Sequence, residues 1–175
     1  MTASNTQTYD AAYAADRAEI EDLMARYLFA MDYNDFESYG ETFTEDGELE
    51  FASGSAFGRD NIVATAKGFK ERIGKLYTDE QGNPAVLRHV LAHTVMRIEG
   101  DKAWVRAFWY EMANNGPGNS LKMGTFGIYE DEVVKQNGRW LYAKRRILND
   151  FLKGRETGPE NPVLAMDVLA QSGGK

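Results

Sequence analysis

Val86-Leu-Arg-His-Val-Leu-Ala-His-Thr-Val-Met-Arg-Ile-Glu99 is where the periodicity of this chain changes. Upstream, apolar residues recur every three or four positions; from Val86 onward they fall in runs that read as strands. The same stretch holds both histidines of the chain, His89 and His93. There is no cysteine, so these are the only side chains whose ordinary pKa lies near neutrality, and proton transfer is expected to pass through one of them. Four apart on a strand they would share a face at roughly 13 Å, too far to ligate one ion. No His-x-His or His-Glu-x-x-His spacing accompanies them, and no metal site is expected.

On the N-terminal side the pattern is helical. Asp16 reads as a cap with Glu19 three residues on, followed by Ile20, Leu23, Met24, Tyr27, Leu28 and Met31 as one apolar stripe. Asp32 stands four residues after Leu28, which brings its carboxylate to the edge of that stripe. A second short helix is expected over 35–43, a strand over 48–51, a loop over 54–58, and a third helix from a cap at Asp60 to about Leu76 that buries Ile62, Val63, Ala66, Phe69 and Ile73.

On the C-terminal side, 86–98 pairs with 103–112, and 125–134 with 140–148 across Gln136-Asn-Gly-Arg139, where Asn-Gly is a strong hairpin signal. Helices followed by a long antiparallel sheet predict an α+β fold, a curved sheet wrapped around the N-terminal helices. In the last strand, plain alternation puts Trp140, Tyr142, Lys144, Arg146 and Leu148 on one face and Leu141, Ala143, Arg145 and Ile147 on the other. Arg145 is the one charge on that second, apolar face. An inward guanidinium needs a carboxylate, a carbonyl or an anionic ligand.

The 175 residues, 43% hydrophobic and 12% aromatic, carry one core, with no linker or repeat to divide them. The domain is expected over 16–155, after a short mobile N-terminus over 1–15. The tail, 156–175, is a candidate cavity lid or interface segment. A net charge of −7 with no basic stretch interleaved with aromatics argues against nucleic acid as a partner. No run approaches a membrane span and no apolar leader opens the chain, so no membrane partner and a cytoplasmic location are expected. Trp140, Tyr142 and Leu148, read as the outer sheet face, predict a homo-oligomer, a dimer or trimer.

Three motifs in order carry a resemblance: Tyr27-Leu-Phe-Ala-Met-Asp32 closing the first helix, Arg88-His89-Val-Leu-Ala-His93-Thr-Val-Met96 ahead of Ile-Glu-Gly-Asp-Lys-Ala, and Gly138-Arg-Trp140-Leu-Tyr-Ala-Lys144-Arg145 in the last strand. Together, over about 16–150, they resemble the SnoaL-like branch of the nuclear-transport-factor-2-like superfamily. The nearest enzyme resemblance is to gamma-hexachlorocyclohexane dehydrochlorinase, with scytalone dehydratase and bile-acid 7-alpha-dehydratase further off.

The resemblance implies a cone-shaped fold and, for the lyases, an Asp at the end of the first helix that orients a sheet His acting on a hydrophobic substrate without a cofactor. Asp32 and His89 match those two. Arg145 matches an arginine that assists a leaving anion, Tyr27 matches a tyrosine of the bile-acid enzyme, and His93 stands where many members carry Asn. Trp104, Phe108, Trp109, Tyr110 and Phe126 are candidate walls of the pocket, and His93 a further candidate substrate contact. The expected activity is a cofactor-independent elimination on a small aromatic or alicyclic substrate. The alternatives are a ligand-binding or subunit-type protein without catalysis, and an isomerase of the ketosteroid-isomerase or polyketide-cyclase kind, because fold alone does not decide function.

Overall fold

The computed structural model describes residues 7–166. Three helices, α1 (Ala11–Asp32), α2 (Phe36–Glu41) and α3 (Arg59–Leu76), accompany six strands: β1 (Phe43–Phe51), β2 (Gly54–Phe57), β3 (Leu87–Glu99), β4 (Lys102–Ala113), β5 (Lys122–Gln136) and β6 (Arg139–Ile147). The strands form one sheet in the order β2-β1-β6-β5-β4-β3. All pairs are antiparallel except β1 with β6, which run parallel. The fold is α+β, with the N-terminal helices on the concave face.

The stripe of α1 is buried as its spacing predicts, from Ile20 to Met31. Its start differs. Asp10, not Asp16, caps the helix, its carboxylate accepting from the Tyr13 backbone N–H at 2.9 Å. Residues 11–15, expected to be mobile, are therefore helical, and Tyr13 is buried. Asp16 lies inside α1 and accepts from Lys135 Nζ at 2.7 Å and Trp140 Nε1 at 3.0 Å, so its carboxylate ties the helix to the sheet. Residues 1–6 and 167–175 lie outside the described residues; of the tail 156–175, expected as a lid or interface segment, residues 162–166 are helical and Met166 is buried.

The expected loop over 54–58 is instead β2, paired with β1 in a hairpin. Ala56 is its one buried position, so there was no apolar alternation to read. α3 starts as expected, but Gly58 precedes it without a side-chain cap and Asp60 falls in the first turn.

Irregularities curve the sheet. The register shifts in β3, in β4 against β5, and in β6, and each bulge adds local twist and bends the strand. Two of them also reassign faces. In β6 the extra residue, Ala143, lets Tyr142 and Arg145 share the inner face, and Trp140 and Tyr142 belong to the core. Trp140, Tyr142 and Leu148 are thus all buried, and the outer-face patch that motivated an oligomer does not exist at those residues. In β3, His93 and Thr94 together oppose Ala107; His93 takes a positive φ of 54° and turns out to solvent. No described helix is long and apolar enough to cross a membrane.

Candidate active site

Between α1, α3 and the concave sheet lies a cavity of about 420 Å³. Tyr27, Leu28 and Met31 reach it from α1, Phe69 and Ile73 from α3, Trp109 from β4 and Tyr129 from β5, so its wall is chiefly apolar. Phe151 and Leu152, just past β6, complete it. Into this wall project a few polar groups, chiefly His89, Glu111, Tyr77, Thr125 and Asn149.

His89 is held from three sides. Asp32 Oδ1 lies 2.6 Å from Nδ1, and Asp32 Oδ2 accepts the His89 backbone N–H at 2.9 Å. Glu111 Oε2 stands 3.5 Å from Nε2. Both carboxylates and the imidazole are buried. Burial works against the imidazolium, but hydrogen bonding to Asp32 and then to Glu111 outweighs it, and the His89 pKa is raised above the ordinary histidine value. Glu111 is itself positioned by Tyr77, whose hydroxyl donates to Oε1 at 2.9 Å. Burial, then that bond, pushes the Tyr77 phenol up to about 12, so it stays a donor at neutral pH. Room for the Tyr77–Glu111 pair exists because residue 124 is glycine: a Cβ there would lie 2.7 Å from Glu111 Oε1 and 3.0 Å from the Tyr77 hydroxyl.

Arg145 meets the carboxylate demand inside the fold. Its Nε and Nη2 donate to Asp131 Oδ1 and Oδ2 at 2.8 and 2.7 Å, and Nη2 also to the Tyr142 hydroxyl at 2.6 Å. The guanidinium carbon sits 4.0–4.1 Å from the ring centroids of Tyr27, Tyr129 and Tyr142. The pair is wholly buried, and Arg145 is not part of the cavity wall, whereas Tyr27 and Tyr129 are. The leaving-group contact implied by resemblance is therefore not open to Arg145 in this arrangement. What reaches the cavity is Tyr27, whose oxygen accepts from the Tyr39 hydroxyl at 3.0 Å.

Of the other expected contacts, Trp109 lines the cavity and its indole N–H donates to the Leu148 carbonyl at 3.1 Å. Trp104, Phe108 and Tyr110 do not, because β4 alternates and Ala103, Val105, Ala107, Trp109 and Glu111 take the inner face. Phe126, paired with Tyr110, shares the outer face and meets the rim residue Phe151 edge-on at 5.0 Å between centroids. His93 is exposed against Phe108, at 5.7 Å between centroids, and does not line the cavity.

Glu111, Tyr77, Thr125 and Asn149 were not anticipated. Glu111 had a signal, being a lone carboxylate on the inner face of an otherwise apolar strand, as Arg145 is a lone cation in β6. The others sit in a turn, beside a bulge and in a loop, where sequence patterns carry no facing. Asn149 Oδ1 accepts from Thr125 Oγ1 at 2.7 Å and from the Phe151 backbone N–H at 3.0 Å, which leaves the amide N–H₂ as the group free to donate. Among the described residues no three His, Cys, Asp or Glu side chains are grouped as metal ligands.

A protein of unknown function from Mycobacterium tuberculosis is 27% identical, with a TM-score of 0.68 over 93% of this chain and 87% of its own. A protein from Catenulispora acidiphila, solved in complex with S-DNPA, is 27% identical with a TM-score of 0.66 over 78% of this chain and 95% of its own. A scytalone-dehydratase-like protein from Novosphingobium aromaticivorans, at 20% identity and a TM-score of 0.66 over 85% and 97%, shares the fold. No functionally curated protein matches by sequence. The SnoaL-like domain profile matches residues 12–146, from the first turn of α1 to the end of β6, and the chain belongs to the SnoaL-like family.

Proposed function

We propose that the protein is a cofactor-independent lyase that eliminates water or a comparable small leaving group from a small hydrophobic aromatic or alicyclic substrate. The observation that carries this reading is His89, fixed at Nδ1 by Asp32 and faced at Nε2 by Glu111 in the wall of an apolar cavity. Asp32 holds the tautomer with the proton on Nδ1, so Nε2 is the basic edge. Neutral His89 takes a proton from the substrate carbon, and the imidazolium is stabilised by two carboxylates in the wall of a chiefly apolar cavity. The carbon–oxygen bond breaks as the double bond forms, and the same imidazolium returns its proton to the departing hydroxyl. Water leaves, and the dyad is restored. Tyr27 and the Asn149 amide are the donors available to a substrate carbonyl.

Glu111 also supports a second reading. A second carboxylate beside the imidazole could carry a proton from one substrate carbon to another, which is isomerisation. The test for both is the purified protein on a panel of hydrophobic alcohols, diols and ketones, with products read by mass spectrometry. Loss of water that disappears in His89→Gln supports elimination, and a product of unchanged mass supports isomerisation. Saturable binding without any product leaves a ligand-binding protein. A His89→Ala variant with undiminished activity moves the chemistry elsewhere.

A homo-oligomer, dimer or trimer, is part of the same reading, now on different residues. Phe108, Tyr110 and Met112 lie on the sheet face opposite Trp109 and Glu111, and their partners Phe126 and Met123 join them there, with Phe108, Phe126 and Met123 exposed.

A further inference from the structure

On the far side of the Asp32–His89 pair from the cavity runs a second cleft, between α3, the α1–α2 connection and the start of β3. It gathers Lys67, Lys70, Lys75 and Arg88 in a protein whose net charge is −7. Among the described residues none of these four is within ion-pair distance of a carboxylate. The two acids in the cleft do not neutralise them: Asp32 spends both oxygens on His89, and Glu71 is exposed and unpaired among the described residues. Arg88 lies over the Tyr33 ring at 4.5 Å and gives one N–H to the Leu87 carbonyl at 2.8 Å, which leaves the rest of its fork open. Lys70 is half-buried beside it, with no hydrogen-bond partner among the described residues. Its pKa is lowered, first by burial; Asp32 and Glu111 oppose that, and Arg88 adds to it.

Lys70 and Arg88 line one cleft with no described carboxylate within ion-pair distance of either, because the nearby Asp32 is engaged with His89, and an incoming oxyanion supplies the direct partner they lack. We propose that this cleft binds a carboxylate or phosphate group between Lys70 and Arg88. The guanidinium fork takes two oxygens, and the ammonium shares one of them in a carboxylate or takes a third in a phosphate. Phe36, Pro84 and Val86, also in the cleft, offer apolar surface to a ligand that carries the anion at one end. The site stands on its own residues and rests on no step of the elimination reading.

Inorganic phosphate and the series acetate, butyrate and hexanoate are the probes, titrated at constant pH and ionic strength with chloride as the reference. The readout is the amide and ring resonances of Arg88 and His89, with exposed His93 as an internal control. Saturable shifts at Arg88 and His89 but not His93 are expected, and binding about tenfold weaker or worse in Lys70→Gln and in Arg88→Gln. Lys70→Arg, which keeps the charge, is expected to retain binding and guards against a folding artefact. Affinity that rises with chain length identifies the anion as the end of an amphipathic ligand; phosphate bound as tightly as hexanoate identifies a free inorganic anion. Shifts that do not saturate, or that persist unchanged in both Gln variants, overturn the proposal. Because no turnover is measured, failure here leaves the elimination reading intact, and failure of that reading leaves this site intact.

Discussion

At the residue scale, the proposed chemistry rests on one imidazole between two carboxylates. If neutral His89 is the base, Asp32→Asn and His89→Gln should each lower turnover by roughly a hundredfold or more, as removal of general-base function does. The pH dependence has a defined sign. The rate falls as pH drops through a pKa raised above the ordinary histidine value, so the acid limb of kcat should lie above about pH 6.5. Glu111→Gln removes one of the interactions that raise it, and the limb should move to lower pH; an unmoved limb would separate Glu111 from His89. Gly124→Ala tests the support behind Glu111. The added methyl should displace the Tyr77–Glu111 pair and cost up to about a hundredfold in turnover with little change in Tm, since a misplacement of about 1 Å is enough. Asp32 was legible as a carboxylate at the edge of a buried helix stripe, and His89 as one of only two histidines; their pairing was implied by the resemblance. Tyr77 and Asn149 were not, because a side chain in a turn or loop has no period from which its direction can be read.

At the element scale, β6 decides more than its length suggests. Plain alternation would place Trp140 and Tyr142 opposite Arg145, whereas the bulge at Ala143 brings all three to the concave face. Arg145 then stacks among Tyr27, Tyr129 and Tyr142 and pairs with Asp131 on the neighbouring strand. Removing only one charge of such a pair strands the other. Asp131→Asn should therefore destabilise the fold by about 3–5 kcal/mol, read from the denaturant midpoint, while Asp131→Leu combined with Arg145→Met should cost far less. If instead the double variant is the worse of the two, the arginine contributes more than charge balance. The four strands after Val86 were legible from the change of period, and their second turn from the pair Asn137-Gly138, whose residues adopt the positive φ that pair favours, 52° and 76°. The bulges were not, because one inserted residue leaves composition unchanged and only the partner strand reveals it.

At the scale of the whole molecule, the raised His89 pKa links stability to pH. The group favours the folded state below its unfolded value near 6.5, and that contribution is lost as pH rises through the folded value. Thermal midpoints should therefore decline over that interval, and His89→Gln should flatten the decline. The exposed Phe108, Phe126 and Met123 predict association through the outer sheet face; light scattering should give a multiple of 19.6 kDa, and Phe108→Lys should reduce it toward the monomer. A monomer in the wild type would remove that part of the reading. The sequence by itself determined the class of fold and the helix stripe that fills the cone, because both depend on local periodicity and on which residues can be buried; the pairing of Asp32 with His89 was implied by the resemblance to the SnoaL-like lyases. Only the tertiary structure decided that Glu111 closes on the second imidazole nitrogen, that Arg145 is spent on Asp131, that His93, Phe108, Tyr110 and Phe126 face away from the cavity, and that Lys70 and Arg88 meet across a cleft. Each of those turns on strand register or on elements far apart in the chain, and a one-residue bulge reverses a strand's facing without altering the pattern by which a sequence is read.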